Sequence, residues 1–243
     1  SLLFGGGATV AAWEADPRVQ LHGPGRSKVI FGADQVDNWE DHLEVIVTSV
    51  VQNGGRSCIN ASGVWTPGSG REIAEGLAQR LAQITPRALD DSEAQLAAFT
   101  RPALAEQLSA MIDSQLKVPG AVDLTAETRG TDRVVEFDGL TFLSPTVIYC
   151  EDPNHPLANT EFLFPFVSVV EAPQDEILER IGPTLTLTAL TEDDAFIDAL
   201  LDSPNVERLN VGPIPTMKIS WDQPHEGNLF EHLYRQRALQ WAQ

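Results

Sequence analysis

Apolar residues along this chain come in two rhythms, short unbroken runs and longer stretches at helical spacing, and the two alternate along most of its length. Leu2-Leu3-Phe4 predicts a short strand, and Gly5-Gly6-Gly7 running into Ala8–Trp13 predicts a glycine turn that opens a helix. After a loop at Gly23-Pro24-Gly25, Lys28-Val29-Ile30-Phe31 predicts a second strand. From Asp37 to Gln52, the residues Trp39, Leu43, Ile46, Val47, Val50 and Val51 fall on one face of a helix. Asn53-Gly54-Gly55 predicts its stop, because Asn and Gly accept the left-handed backbone that ends helices. Cys58 follows just past that turn. Ser69 and Glu72 have the spacing of a capping box, ahead of a helical stripe at Ile73, Leu77, Leu81 and Ile84. Asp91–Leu116 predicts more helix, interrupted near Pro102.

From Arg133 the apolar segments shorten. Val134–Phe137, Thr146–Cys150, Phe166–Val170, Leu185–Leu190 and Val206–Val211 read as strands, with helices at Asp175–Ile181, Asp193–Leu201 and Glu226–Trp241. A proline-rich stretch, Pro213–Pro224, crosses the surface between the last two elements. Strands alternating with helices predict an α/β fold with a mostly parallel sheet flanked by helices. No internal repeat interrupts this order.

Charge then narrows the partners. With 35 Asp and Glu against 16 Lys and Arg, the formal charge of -19 repels a phosphate backbone or an anionic bilayer, which argues against nucleic acid and membrane. The longest largely apolar run, Phe162–Val170, is broken by Pro165 and Ser168 and falls well short of the roughly 20 residues a membrane helix needs. The chain opens on Ser1 without a basic leader and reads as a fragment of a longer protein. Two distant cysteines supply no metal cluster, and both read as thiols of a cytoplasmic protein.

Cys58 carries the sharpest chemical signal, since a thiolate is a strong nucleophile when nearby N–H groups or cations lower its pKa. The alternative for any cysteine in a partly apolar stretch is a buried structural thiol. Gln52-Asn53-Gly54-Gly55-Arg56-Ser57-Cys58 resembles the Asn-x-Gly-Gln-x-Cys segment that carries the nucleophile in aldehyde dehydrogenases, with Arg56 standing where that family has Gln. Phe4-Gly5-Gly6-Gly7-Ala8-Thr9 resembles the family's Phe-x-Gly-Ser-Thr cofactor turn, and Thr160-Glu161-Phe162-Leu163-Phe164-Pro165 resembles Glu-Glu-x-Phe-Gly-Pro, preceded by Pro145-Thr146-Val147. Asn210 matches an asparagine at the end of the last core strand.

The resemblance implies an aldehyde-dehydrogenase-like fold, with residues 1–31 as the tail of a Rossmann-like dinucleotide-binding domain and 32–243 as the catalytic domain. It implies a covalent thiohemiacetal and thioester on Cys58, with Asn53 in support. NAD or NADP would be held by Glu161 at the nicotinamide ribose and approached closely by Gly6 and Gly7. His22 aligns with the glutamate that activates water in hydrolytic members, and Gly23-Pro24-Gly25 is similar to a stretch of members that use coenzyme A as co-substrate. The implied partner is a small aldehyde or an acyl thioester, and the intact protein is expected to be a homo-oligomer. Where the family has Pro-Phe-Gly-Gly and Ser-Gly-x-Gly, this chain has Ser220–Asn228, whose His225 reads either as lining an entrance or as a polar residue in a helical first turn. The cofactor domain's first β-α-β units and an oxyanion-binding asparagine belong to sequence before Ser1 in the family, so this segment is expected to be inactive alone. Three functions remain open: an aldehyde-oxidising dehydrogenase, a coenzyme A-acylating relative, and a structural module that has lost the chemistry.

Overall fold

The computed structural model describes residues 1–220 and residue 240, so the expected helix at Glu226–Trp241, together with Trp221 and His225, lies outside the described residues. The chain divides into two compact units, a smaller one that includes Ser1–Pro24 and a larger one, Gly25–Lys218.

In the smaller unit, β1 (Leu2–Phe4) runs parallel to β2 (Gln20–His22), with the short helix α1 (Gly7–Ala11) between them in sequence. Gly6 caps α1 in extended backbone, and the Gly5 N–H continues the ladder to the His22 carbonyl.

The larger unit begins with β3 (Ser27–Phe31), a 3-10 segment (Val36–His42), α2 (Leu43–Val51), a 3-10 turn (Gln52–Gly55), β4 (Ala61–Thr66) and α3 (Gly70–Leu81). Then come α4 (Pro102–Gln115), β5 (Ala121–Asp123), α5 (Thr125–Arg129), β6 (Val134–Phe137), β7 (Leu140–Leu143), β8 (Thr146–Cys150) and a 3-10 turn (Pro156–Asn159). It closes with β9 (Phe166–Glu171), α6 (Gln174–Arg180), β10 (Thr184–Leu190), α7 (Asp194–Leu201) and β11 (Val206–Val211). Among the described residues, seven of these strands form one sheet in the order β11-β10-β3-β4-β9-β8-β5, parallel throughout except at β5.

Both faces of this sheet are covered, which is why β3, β4, β8 and β10 are buried along their whole length and read as unbroken runs rather than alternating ones. Ile46 and Val50 of α2 and Ile73, Leu77 and Leu81 of α3 pack on Val29, Val64, Val167 and Val169. On the other face, Ala105 and Ile112 of α4, Ile177 of α6 and Phe196 and Leu200 of α7 pack around Ile30, Trp65, Ile148 and Leu187. A helix–sheet–helix sandwich of this kind matches the α/β expectation.

Four local expectations come out differently. β3, expected to close the first domain, lies between β10 and β4 near the middle of the large sheet. The helix expected from Asp37 is a 3-10 segment, kinked at Asn38, with α-helix only from Leu43. The capping box does not form, because Ser69 has left-handed backbone (φ 53°) and makes no side-chain cap; the Gly70 N–H instead donates to Glu171 Oε2 at 2.9 Å. Residues 91–100 are not helical, and Phe99 instead pairs through its N–H with the Thr141 carbonyl at 2.8 Å. β6 and β7 form an antiparallel hairpin over Asp138-Gly139, both with positive φ (51° and 72°), the pairing that a two-residue type I′ turn requires.

Candidate active site

The turn after α2 delivers Cys58. Asn53, Gly54 and Gly55 take φ of 58°, 65° and 67°, three successive left-handed residues that end the helix and reverse the chain. A Cβ on Gly55 would stand 2.5 Å from the Phe164 carbonyl carbon, so this turn lies directly on the backbone of Phe164-Pro165. Asn60 then fastens the loop. Its buried amide donates to the Ser49 and Gln52 carbonyls, each at 2.9 Å, and its Oδ1 accepts from the Ser57 N–H at 2.8 Å. The Cys58 carbonyl accepts from Ser27 Oγ at 2.8 Å, and a Cβ on Gly25 would fall 1.8 Å from the same carbonyl oxygen. Only glycine permits such an approach. Cys58 itself is half-buried.

Beside the turn into β3 lies Glu161. The Arg26 N–H, presented by left-handed backbone (φ 47°), donates to Glu161 Oε2 at 2.5 Å. Two residues on, Lys28 is 1% exposed, and its Nζ donates to the Arg26 carbonyl at 2.7 Å and to Thr184 Oγ1 at 3.2 Å. Burial pulls the Lys28 ammonium down to about 7, with the nearby Arg26 charge adding to the fall and Glu161 opposing it. Burial likewise pushes the Glu161 carboxyl up from its ordinary value, against the Arg26 N–H and the charges of Lys28 and Arg26. Segments 25–28, 52–58 and 160–165 therefore meet at the amino ends of β3, β4 and β9.

Residues 7–181, well over half of the sequence, match the Aldehyde dehydrogenase family. The chain belongs to the aldehyde dehydrogenase family. Among solved structures of the family, the NAD+ complex of aldehyde dehydrogenase from Bacillus cereus is similar with a TM-score of 0.72 at 15% identity, over 89% of this chain and 44% of that one. A mutant aldehyde dehydrogenase C from Pseudomonas syringae, complexed with NAD+ and octanal, gives 0.73 at 19% identity over 90% and 45%. Lactaldehyde dehydrogenase from Escherichia coli gives 0.71 at 15% identity over 90% and 46%. The chain thus spans under half the length of these structures, and at such identities the likeness establishes the fold. A comparison with curated proteins returns no match.

Within this aldehyde dehydrogenase fold, Cys58 and Glu161 lie in the larger unit, both against the Gly25-Arg26 turn. Asn53 is exposed at the end of α2, where its left-handed backbone is the visible contribution. Gly6, Gly7 and His22 lie in the smaller unit. A Cβ on Gly6 or Gly7 would meet nothing within 4 Å, and the His22 ring stacks on Phe4 with centroids 4.4 Å apart. Arg56, at the position where the family has Gln, turns to the Ala97 and Ala98 carbonyls and lies 4.7 Å over the Phe99 ring. Asn210 is buried and donates to Thr188 Oγ1 at 3.3 Å. Cys150 is fully buried, its thiol pushed up to about 12 by burial. Among the described residues, no group of three or more His, Cys, Asp or Glu is disposed to hold a metal ion, and no helix is long and apolar enough to cross a membrane.

Lys28 and Asn60 are residues of this candidate site that sequence patterning misses. A lysine opening an otherwise apolar strand was the available signal for the first, and an asparagine two positions past Cys58, just before a buried strand, for the second.

Proposed function

We propose that the protein to which this chain belongs oxidises an aldehyde, with Cys58 as the nucleophile and Glu161 as the ribose-binding carboxylate of a nicotinamide cofactor. The observation that carries the reading is the convergence of the Gly25-Arg26 turn on both the Cys58 carbonyl and the Glu161 carboxylate. The Cys58 thiolate adds to the carbonyl carbon, forming a C–S bond as the C=O π bond breaks and its electron pair moves to the oxygen as an alkoxide. A bound nicotinamide would supply the acceptor for the hydride that this carbon gives up, and Cys58 would then carry the acyl thioester. Attack on the thioester by water or by a thiol then frees the sulfur. Coenzyme A in that last step needs less activation than water, because its thiol ionises nearer neutrality. The bend at Asn53-Gly54-Gly55, fastened by Asn60, keeps the nucleophile in one place, and orientation of this kind is a large part of what an enzyme contributes.

The groups present suit the cofactor's ribose. A carboxylate that already holds the Arg26 N–H at one oxygen keeps lone pairs for two hydroxyls, and a sugar diol matches that acceptor set. The Phe4–Thr9 resemblance makes Gly6 and Gly7 cofactor-facing backbone, and a Cβ on either would meet nothing within 4 Å. His22, aligned with the family's water-activating glutamate, would be the base for attack of water on the thioester.

The test uses the intact protein with an aldehyde and NAD+ or NADP+. Hydride transfer is expected to stop in Cys58→Ser, and iodoacetamide near pH 7 is expected to label Cys58 more than about 100-fold faster than Cys150, which carries almost no thiolate there. A Cys58→Ser variant that retains the rate would sink the reading. Product analysis with and without coenzyme A separates release as free acid from release as acyl thioester.

A further inference from the structure

A lysine whose whole side chain is buried at the start of a parallel strand is costly, because the ammonium must give up its water and find replacements. Lys28 has found them in an unusual place. Its stem lies over Gly63 of the neighbouring strand, where an added Cβ would stand 3.5 Å from Lys28 Cγ. Its ammonium doubles back to the carbonyl of Arg26, the residue whose left-handed backbone presents the N–H to Glu161. Thr184 Oγ1, at the start of β10, is the second anchor and is itself fixed by donating to the Gly182 carbonyl at 3.0 Å. The peptide units on the two sides of Arg26 thus have opposite duties, one accepting from Lys28 and the other donating to Glu161.

We propose that Lys28 is a positioning residue for Glu161: it clamps the Arg26 carbonyl, so that the strained Arg26 backbone holds the carboxylate where it can accept the cofactor's ribose hydroxyls. The inference rests on the reading of Glu161 as the ribose ligand. Lys28 does not touch the cofactor itself; its effect passes through Arg26. While Lys28 holds its proton, its charge also favours the ionised, acceptor-only form of the carboxylate.

Calorimetric titration of the intact protein with NAD+ and NADP+, using whichever wild type binds more tightly, tests this on Lys28→Met, Glu161→Gln and the double variant. Lys28→Met is expected to weaken binding about tenfold, the weight of one charge-supported hydrogen bond, and to raise KM for the cofactor while kcat changes less than about twofold. In the Glu161→Gln background the same substitution is expected to cost nothing further, because the two residues act in series. Thr184→Val removes one anchor and keeps the lysine, so it serves if Lys28→Met unfolds. It is expected to weaken binding about threefold, again only while Glu161 is present. Equal losses with and without Glu161 would mean a general structural role and overturn the proposal. So would wild-type affinity in both Lys28→Met and Thr184→Val. If Glu161→Gln weakens binding and the Lys28 and Thr184 variants do not, only this inference falls. If Glu161→Gln leaves affinity unchanged, the ribose reading falls and takes the inference with it.

Discussion

Gly25 and Cys58 are in backbone contact across 33 positions of sequence: a methyl group on Gly25 would overlap the Cys58 carbonyl oxygen, at 1.8 Å. Because the obstacle is backbone, no rotamer change relieves it. Gly25→Ala is therefore expected to push the Cys58 loop off the start of β3. A displacement of about 1 Å at a reacting atom costs about 100-fold in rate, and kcat/KM of the intact protein is expected to fall by at least that much. Steady-state kinetics beside a thermal melt checks it; a folded Gly25→Ala protein with near-normal kcat/KM would show that the loop tolerates the shift.

Asn60 makes a second, independent demand on the same loop. Its side chain satisfies two carbonyls at the end of α2 and one N–H of the loop, all with little access to water. Asn60→Ala leaves these groups unpaired, at a cost of about 1–3 kcal/mol of stability. Asn60→Asp is expected to be no better, since a carboxylate cannot donate to the Ser49 and Gln52 carbonyls. Chemical denaturation reads the first effect, and the iodoacetamide rate at Cys58 reads the accompanying loosening. Unchanged values of both would show that water replaces the amide.

At Ser69 the structure and the sequence pattern predict opposite signs. A capping box would make Ser69→Gly neutral to slightly destabilising, because the side-chain cap would be lost. With φ at 53° and no cap formed, glycine instead relieves left-handed strain, and Ser69→Gly is expected to stabilise by about 0.5–1 kcal/mol. The contrast is Glu171→Ala, which removes the actual acceptor of the Gly70 N–H and is expected to destabilise by about 1 kcal/mol. Paired urea titrations decide between the two descriptions of the α3 start.

These cases mark what a sequence exposes and what it hides. The buried strands β3, β4, β8 and β10 are legible because both faces of a covered parallel sheet must be apolar, and the stripe Ile73, Leu77, Leu81 is legible because one helical face must be. The left-handed stop at Asn53-Gly54-Gly55 is legible because few residues accept that backbone. The short β5, paired antiparallel at the sheet edge, carries too few residues to show a period. Asp138-Gly139 did carry a hairpin signal, in the dipeptide itself. The candidate site is harder to read, because its residues gather at the amino ends of the strands, whereas open parallel sheets ordinarily bind ligands at the carboxyl ends. Arg26 acts through its backbone, and Lys28 through a carbonyl, neither of which has a side-chain signature.

Lys28 also predicts a pH dependence whose sign can be worked out. In the unfolded chain its amine titrates near 10.5; in the folded chain burial brings it to about 7, despite the pull of Glu161. Below pH 7 both states hold the proton and the cost of burying the charge is present in full. Between about pH 7 and 10.5 the unfolded state binds more protons, so stability rises with pH, by up to about 1.4 kcal/mol per unit. Glu161, with its folded value raised, acts in the opposite direction, and its window opens at 4.5, on the acid side. Comparing wild type with Lys28→Met from pH 7.5 to 9.5 isolates the lysine. The stability of wild type relative to Lys28→Met is expected to climb across that range, because only wild type carries the titrating amine. A flat difference would mean that Lys28 keeps its proton throughout, held by the Arg26 carbonyl, Thr184 and Glu161 more strongly than burial discourages it.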